Sequence, residues 1–137
     1  MKHKMYKTYM ACAEAFGQQS YAKRKKVGAI AVTPQDMIIY SWNGTAIGDD
    51  NTCEGEDGAT LDEVLHAELN IVSKAAREGL SLKGSTVFVG LSPCIQCAKA
   101  LFQSGVERVV YKEQYRDSKG IRYLKEHGVV IEQYEED

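Results

Sequence analysis

Residues 86–111 run Thr86-Val-Phe-Val-Gly90, then Leu91-Ser-Pro-Cys94-Ile-Gln-Cys97-Ala-Lys-Ala-Leu101-Phe-Gln-Ser104, then Gly105-Val-Glu-Arg108-Val-Val-Tyr111. Thr86–Gly90 and Arg108–Tyr111 are short β-rich runs, and Cys94–Ser104 between them has helical spacing. Asp117–His127 reads as a further helix ended by Gly128, and Val129–Gln133 as a last strand. Strands and helices that alternate in this way require a parallel sheet with right-handed crossovers.

Working back towards the N-terminus, Tyr6–Phe16 reads as a helix with Met10, Ala13 and Phe16 at helical spacing and Gly17 beyond its end. Val27–Thr33 and Met37–Asn43 are β-rich runs on either side of Pro34-Gln35-Asp36, which predicts an antiparallel hairpin. Ile47–Ala59 is a polar loop. Thr60–Arg77 reads as a helix with Leu65, Leu69, Val72 and Ala76 as its apolar stripe and Gly79 closing it. The order α-β-β-α-β-α-β-α-β belongs to the α/β class, and predicts a three-layer α/β/α arrangement around a mixed five-stranded sheet. There is no repeat or linker, and 137 residues against roughly 100–200 per domain suggest one domain over 1–137.

The composition is that of an ordinary globule, 44% hydrophobic and 26% charged. Nineteen acids against seventeen bases give a net charge of −2, which argues against a nucleic-acid polymer as partner. The charges are uneven, however. Residues 1–26 hold seven bases (Lys2, Lys4, Lys7, Lys23, Arg24, Lys25, Lys26) and one acid, Glu14, whereas 49–63 hold seven acids and no base. No apolar run approaches the roughly 18–20 residues of a membrane span, and Met1-Lys-His-Lys-Met5 has no apolar run behind it. The expectation is a cytoplasmic chain with reduced thiols.

His66-Ala67-Glu68 and Ser92-Pro93-Cys94-Ile95-Gln96-Cys97 carry the chemistry. Cys-x-x-Cys sets two soft ligands one helical turn apart, with Ser92 as a cap and Pro93 at the first helical position. The first-turn amides and helix dipole favour thiolate there. His66 adds a third ligand, and three protein ligands leave open the fourth position that a catalytic zinc (Zn2+) needs. Glu68 lies too near His66 in sequence for a comfortable fourth ligand but within reach of a metal-bound water. This order of motifs is the zinc nucleobase deaminase signature. A bare Cys-x-x-Cys also suits a redox pair, which needs no upstream His or Glu, or half of a structural zinc site, which would recruit Cys12 or Cys53. Cys12 reads instead as packed on the first helix, Cys53 as a free loop thiol, and His3 and His127 as solvent-facing. The Thr60-x-x-Glu63 capping box competes with a helix start near Leu65.

Beyond these motifs the chain resembles the cytidine deaminase-like fold and, within it, the deoxycytidylate (dCMP) deaminases. Val27-Gly-Ala-Ile30 followed by Trp42-Asn-Gly-Thr45 is similar to the family's strand and turn, and His66-Ala-Glu-Leu-Asn70 to its zinc helix. Pro93-Cys-x-x-Cys-Ala98-Lys99 resembles its second zinc segment, and Tyr115-Arg116-Asp117 the segment after the fourth strand. Trp42, Ala46 and Tyr21-Ala22 depart from the common residues at their positions. The resemblance implies a hydrolase acting on a cyclic amidine C–N bond. Zinc on His66, Cys94 and Cys97 would provide hydroxide to C4 of cytosine, and Glu68 would protonate N3 and then the departing amine, leaving dUMP for thymidylate synthesis. It also implies the Ala67 amide on the pyrimidine carbonyl, Asn43 near the sugar and Tyr115 beside the base.

The monophosphate needs cations. The run Lys23-Arg24-Lys25-Lys26 can supply them, Arg24 first because a guanidinium fork suits phosphate, and Arg116 next; the same run also reads as a solvated surface cluster. The resemblance further implies a homo-oligomer, typically a hexamer, activated by dCTP and inhibited by dTTP with magnesium (Mg2+). Its effector site would involve Asn43, Gly44, Asp49, Asp50, Glu54 and Arg77, although the acids also read as a plain solvated loop.

Two other readings compete. A tRNA adenosine deaminase, or another nucleoside or nucleobase deaminase of this fold, shares the Trp-Asn, His-Ala-Glu and Pro-Cys-x-x-Cys elements, but an acidic Glu132–Asp137 and a net negative charge suit RNA poorly. A non-catalytic nucleotide sensor would have lost Glu68 or a ligand, and none is lost.

Overall fold

Gly28-Ala-Ile-Ala-Val32 is buried at every position, as befits a strand covered on both faces. In the computed structural model, which describes residues 3–136, this strand (β1) sits beside the centre of a five-stranded sheet. After a single 3-10 turn, α1 spans Tyr6–Gly17; β2 is Ile38–Trp42, α2 Ala67–Glu78, β3 Thr86–Leu91, α3 Ile95–Gln103, β4 Arg108–Glu113, α4 Lys119–Glu126 and β5 Val130–Gln133. The strand order is β2-β1-β3-β4-β5. β1 runs antiparallel to both β2 and β3, while β3, β4 and β5 are parallel. The mixed sheet expected from the alternating second half is therefore present. Met1, Lys2 and Asp137, which end the basic and acidic terminal stretches, lie outside the described residues.

The alternation of side chains along the strands divides the core in two. Ala29, Ala31, Val87, Val89, Val109 and Tyr111 face α2, α3 and α4, where Ile71, Leu101, Ile121 and Leu124 meet them. Ile30, Val32, Phe88 and Val110 face the opposite way, against Tyr6, Met10 and Ala13 of α1. The β1–β2 hairpin turns at 33–37, where the Thr33 amide donates to the Met37 carbonyl at 2.9 Å and Asp36 takes φ 63°. Such a left-handed residue closing a three-residue loop matches strand twist.

Two readings of α2 are corrected. The helix begins at Ala67 rather than Thr60, because the Leu65 amide donates to the Gly44 carbonyl at 2.8 Å and the Gly44 amide to the Leu65 carbonyl at 3.0 Å. After a turn at 61–64, that two-way β-bridge keeps the chain out of the helix as far as His66 and overrides the local Thr60–Glu63 capping signal. The buried face carries Ala67, Glu68, Ile71 and Ala75, while Ala76 is exposed and Leu69 and Val72 are half-buried. Small residues let α2 sit close to the sheet and bring Glu68 inside.

α1 meets β1 backbone to backbone. A Cβ added at Gly28 would stand 1.9 Å from the Ala13 carbonyl oxygen and 2.4 Å from the Gly17 nitrogen. Neither obstacle can swing aside, so Gly28→Ala is expected to lower Tm by about 10 °C or more. Overpacking costs about 1–3 kcal/mol or more, and each kcal/mol moves Tm by about 4 °C at this size. Gly90→Ala in β3, where an added Cβ would meet nothing within 4 Å, is expected to shift Tm by less than about 4 °C. Thermal unfolding followed by circular dichroism compares them, and equal shifts would contradict the close α1–β1 seam.

Candidate metal centre and its pocket

His66 and Cys94 each occupy the residue just before a helix, His66 extended at φ −66°, ψ 155° and Cys94 at φ −70°, ψ 172°. Both helices start at the same end of the molecule, so His66, Cys94 and Cys97 converge, with their donor atoms all within 4.8 Å of one another. The His66 Nδ1 lies 3.3 Å from Cys97 Sγ and 3.6 Å from Cys94 Sγ. Tetrahedral zinc, with Zn–S of about 2.3 Å and Zn–N of about 2.05 Å, sets N···S edges of about 3.6 Å. The donor set and its spacing therefore fit zinc. Cys12 and Cys53 are free thiols outside this group.

The helix start on the cysteine side differs from the expected one. Cys94 itself is the cap: its sulfur accepts from the Cys97 amide at 3.5 Å. Ser92, read as a cap, is buried, and its hydroxyl instead accepts from the Tyr115 amide at 2.6 Å. Ser92 thus ties the segment after β4 to the metal turn, and Gly120 at the start of α4 packs on the same turn, where a Cβ would meet the Pro93 carbonyl oxygen at 2.1 Å. On the histidine side, the buried Ser41 hydroxyl of β2 donates to the Ala67 carbonyl at 2.5 Å, and the Asn70 side-chain amide donates to the Trp42 carbonyl at 2.8 Å. The edge strand fixes the first turn of α2.

The thiols show how the cluster handles charge. A hydrogen bond from Cys97 holds the Cys94 thiol down to about 3, with further support from His66. The same shared proton, together with burial, pushes Cys97 far up, and contact with Cys94 raises His66. Metal binding requires both thiols as thiolates, so the cation competes with these protons for the sulfurs. Glu68 is only 4% exposed, and burial pushes its carboxyl up to about 7 against the opposing pull of its own amide and His66.

Next to this cluster is a cavity of about 390 Å³, within the usual range for small-molecule sites. His66, Ala67, Glu68 and Cys94 line one part of it, with Asn43 and Tyr115 also on its wall. Arg24, Lys25 and Arg116 bring basic side chains to the same cavity, and Glu54 brings an acidic one. Of the basic run, Lys23 and Lys26 do not line it, and Lys25 Nζ is paired with Glu113 Oε2 at 2.5 Å.

Gly44, Asp49, Asp50 and Arg77 are not among the lining residues. Asp50 accepts from the Thr52 amide at 2.8 Å and hydroxyl at 2.7 Å, bonds that hold its carboxyl below the usual range. The Asn43 side chain is engaged with the main chain, its Oδ1 accepting from the Val27 amide at 2.9 Å and its Nδ2 donating to the Lys25 carbonyl at 2.8 Å.

Cys53 is the free loop thiol expected, and it is also 2% exposed and forms part of the pocket wall. Nothing in its polar surroundings signals this. For Ser41 a signal exists, since the alternation of β2 puts this hydroxyl on the buried face with Ile39. Cys12, half-buried against the α1-side core, and the exposed His3 and His127 lie as expected.

Residues 3–113 match the family model described as the cytidine and deoxycytidylate deaminase zinc-binding region. The chain is 53% identical over 110 residues to the deoxycytidylate deaminase of Enterobacteria phage T4, an alignment covering 79% of this chain and 56% of that protein. It is 32% identical over 134 residues to ComE operon protein 2 of Bacillus subtilis, covering 94% of this chain and 70% of that one. Among solved structures, the dCMP deaminase of cyanophage S-TIM5 in complex with dCMP and dUMP superimposes with a TM-score of 0.93. Its identity is 44%, covering 98% of this chain and 99% of that one. This chain thus spans little more than half the length of the phage T4 protein.

Purified protein is expected to carry about one zinc per chain, and Cys97→Ala to lose nearly all of it, because three protein donors are the minimum for such a site. Cys53→Ala is expected to retain the metal. Elemental analysis of the protein after gel filtration checks both, and zinc retained by Cys97→Ala would break the ligand assignment.

Proposed function

The chain belongs to the cytidine and deoxycytidylate deaminase family, and on that premise we propose that it hydrolyses dCMP to dUMP and ammonia. One observation carries this reading: a His/Cys/Cys metal group and a buried glutamate share a cavity with two arginines, Arg24 and Arg116, that form no salt bridge among the described residues. The first two features suit deamination of a base, and the third suits the charge of a single phosphate. The whole of 1–137 is read as one catalytic domain acting in the cytoplasm, which agrees with its four free thiols. No helix among the described residues is long and apolar enough to cross a membrane.

His66, Cys94 and Cys97 would hold zinc, which when bound lowers the pKa of water and so provides a nucleophile for C4 of cytosine at neutral pH. Glu68 is the proton carrier. It takes a proton from the attacking water and delivers it to N3 as the ring becomes tetrahedral at C4. It then takes the proton of the new C4 hydroxyl and delivers it to the exocyclic amine, which leaves as ammonia as the C4 carbonyl forms. Burial keeps this carboxylate in place and shields the exchange from bulk water. The Ala67 amide, in the first turn of α2 and without an intrahelical acceptor, donates to the pyrimidine carbonyl. Tyr115 flanks the base, and Asn43 lies beside the sugar while clasping the 25–27 main chain. Arg24 and Arg116 take the phosphate.

Glu68→Gln is expected to keep zinc and lower kcat by about 10²–10⁴-fold, the usual contribution of a positioned acid–base group. Metal content and steady-state assay together decide this, and a variant that keeps both zinc and turnover would refute the role. On a panel of dCMP, dCTP, deoxycytidine and a tRNA anticodon arm, dCMP is expected to react fastest. Arg24→Ala is expected to raise KM for dCMP by about 10–100-fold, as for a lost bond to a charged group. Equal turnover of deoxycytidine would remove the phosphate argument, and inosine formation on the tRNA would favour the adenosine reading.

A second part of the proposal concerns regulation: a homo-oligomer, a hexamer by family likeness, activated by dCTP and inhibited by dTTP with Mg2+. Its support is that likeness, together with exposed carboxylates at Asp49 and Asp50 away from the pocket. Gly44 and Arg77 complete the candidate effector set with Asn43. Glu54, the remaining member by sequence, is bonded within the chain.

A further inference from the structure

We infer that Glu54 is a positioning residue for the phosphate-binding arginine: its carboxylate holds the main chain of Lys23 and Arg24 so that the Arg24 guanidinium faces the pocket. The inference rests on the reading of dCMP as substrate, and assigns to Glu54 a role distinct from metal or effector binding. Glu54 Oε2 accepts from the Lys23 amide at 2.9 Å and from the Arg24 amide at 3.2 Å. It therefore binds the peptide units on either side of the Lys23 Cα and leaves the Arg24 side chain alone. Among the described residues the Arg24 guanidinium pairs with no carboxylate within 4.0 Å, although it lines the cavity with Glu54.

Such a clasp is needed here because residues 20–27 contain neither helix nor strand. With no ladder or helix to take them, several of their amides and carbonyls are met by side chains. Ser20 Oγ accepts from the Ala22 amide at 3.1 Å, and Asn43 closes the far end at Lys25 and Val27. Between these two neutral clasps, among the described residues, Glu54 alone bonds the amides of Lys23 and of Arg24 itself, and it does so through a carboxylate oxygen. Charge-assisted bonds to amides are the stronger kind.

The arm that carries Glu54 is itself anchored. The Leu61 amide donates to the Cys53 carbonyl at 2.8 Å and the Gly55 amide to the Ala59 carbonyl at 2.9 Å, so 53–61 folds back as a narrow hairpin. Cys53, next to Glu54, is buried at its base. A loop held in its binding geometry before the ligand arrives loses less conformational freedom on binding. Without Glu54, each dCMP would have to order the Arg24 segment itself.

The test is a double-mutant cycle on dCMP turnover with wild type, Glu54→Ala, Arg24→Ala and the double variant, plus Glu54→Gln, which keeps an oxygen acceptor without the charge. Glu54→Ala is expected to raise KM about tenfold with kcat changed less than twofold, and Glu54→Gln to recover most of that loss. In the Arg24→Ala background, removing Glu54 should cost less than twofold in KM, because both act through one guanidinium. Zinc content and Tm, measured for each variant, identify any that has misfolded. If Glu54→Ala alone proves unstable, Glu54→Met, which keeps the length of the side chain without an oxygen acceptor, and its combination with Arg24→Ala complete the cycle. An unchanged KM in Glu54→Ala, a full additional loss in the double variant, or a Gln variant as poor as the Ala variant would each overturn the inference. Failure of the substrate reading is seen separately, in wild type, as no preference for dCMP over deoxycytidine.

Discussion

Two helices begin close together, and the residue just before each helix belongs to the candidate metal group. With His66 before α2 and Cys94 before α3, the first-turn amides and positive dipole ends of both helices meet at the metal group. This favours thiolate there. It also requires that the extended stretches before the helices be held from outside, since neither can be held by the helix it precedes. The Gly44–Leu65 bridge does this for one, and Ser92 with the close approach of Gly120 for the other. The site is thus a product of the sheet's order: β2 at the edge reaches α2, and the segment after β4 reaches α3.

The strands and the ligands were readable in the sequence for a shared physical reason: both are local patterns. β-rich runs at 28–32, 38–42, 86–91, 108–113 and 130–133 lie within a residue or two of where the runs of apolar residues place them. His66, Cys94 and Cys97 show themselves by spacing and by proximity to a helix start. The features that were not readable depend on distant partners. Thr60-x-x-Glu63 is a sound capping signal, yet Leu65 bonds Gly44, twenty-one residues earlier, and the helix starts only after that bridge. Ser92 looks like a cap and serves a loop twenty-three residues away. Glu54 looks like one member of a solvated acidic run, and only the fold shows that its acceptors point at amides thirty residues back.

The opposed charge blocks acquire a meaning in that light. In the sequence the basic 23–26 run and the acidic 49–63 run merely cancel. In the fold they meet at one rim of the cavity, but the contact is acid to main chain rather than acid to base. Exposed ion pairs such as Lys25–Glu113, whose side chains are both about half exposed, contribute little to stability. If Glu54 paired directly with the guanidinium of Arg24, it would neutralise the cation that the phosphate reading requires. By bonding the amides instead, it leaves the positive charge available and restrains only its position. A net charge close to zero is therefore compatible with a local field suited to one phosphate, provided that the acid nearest the cation acts on its backbone.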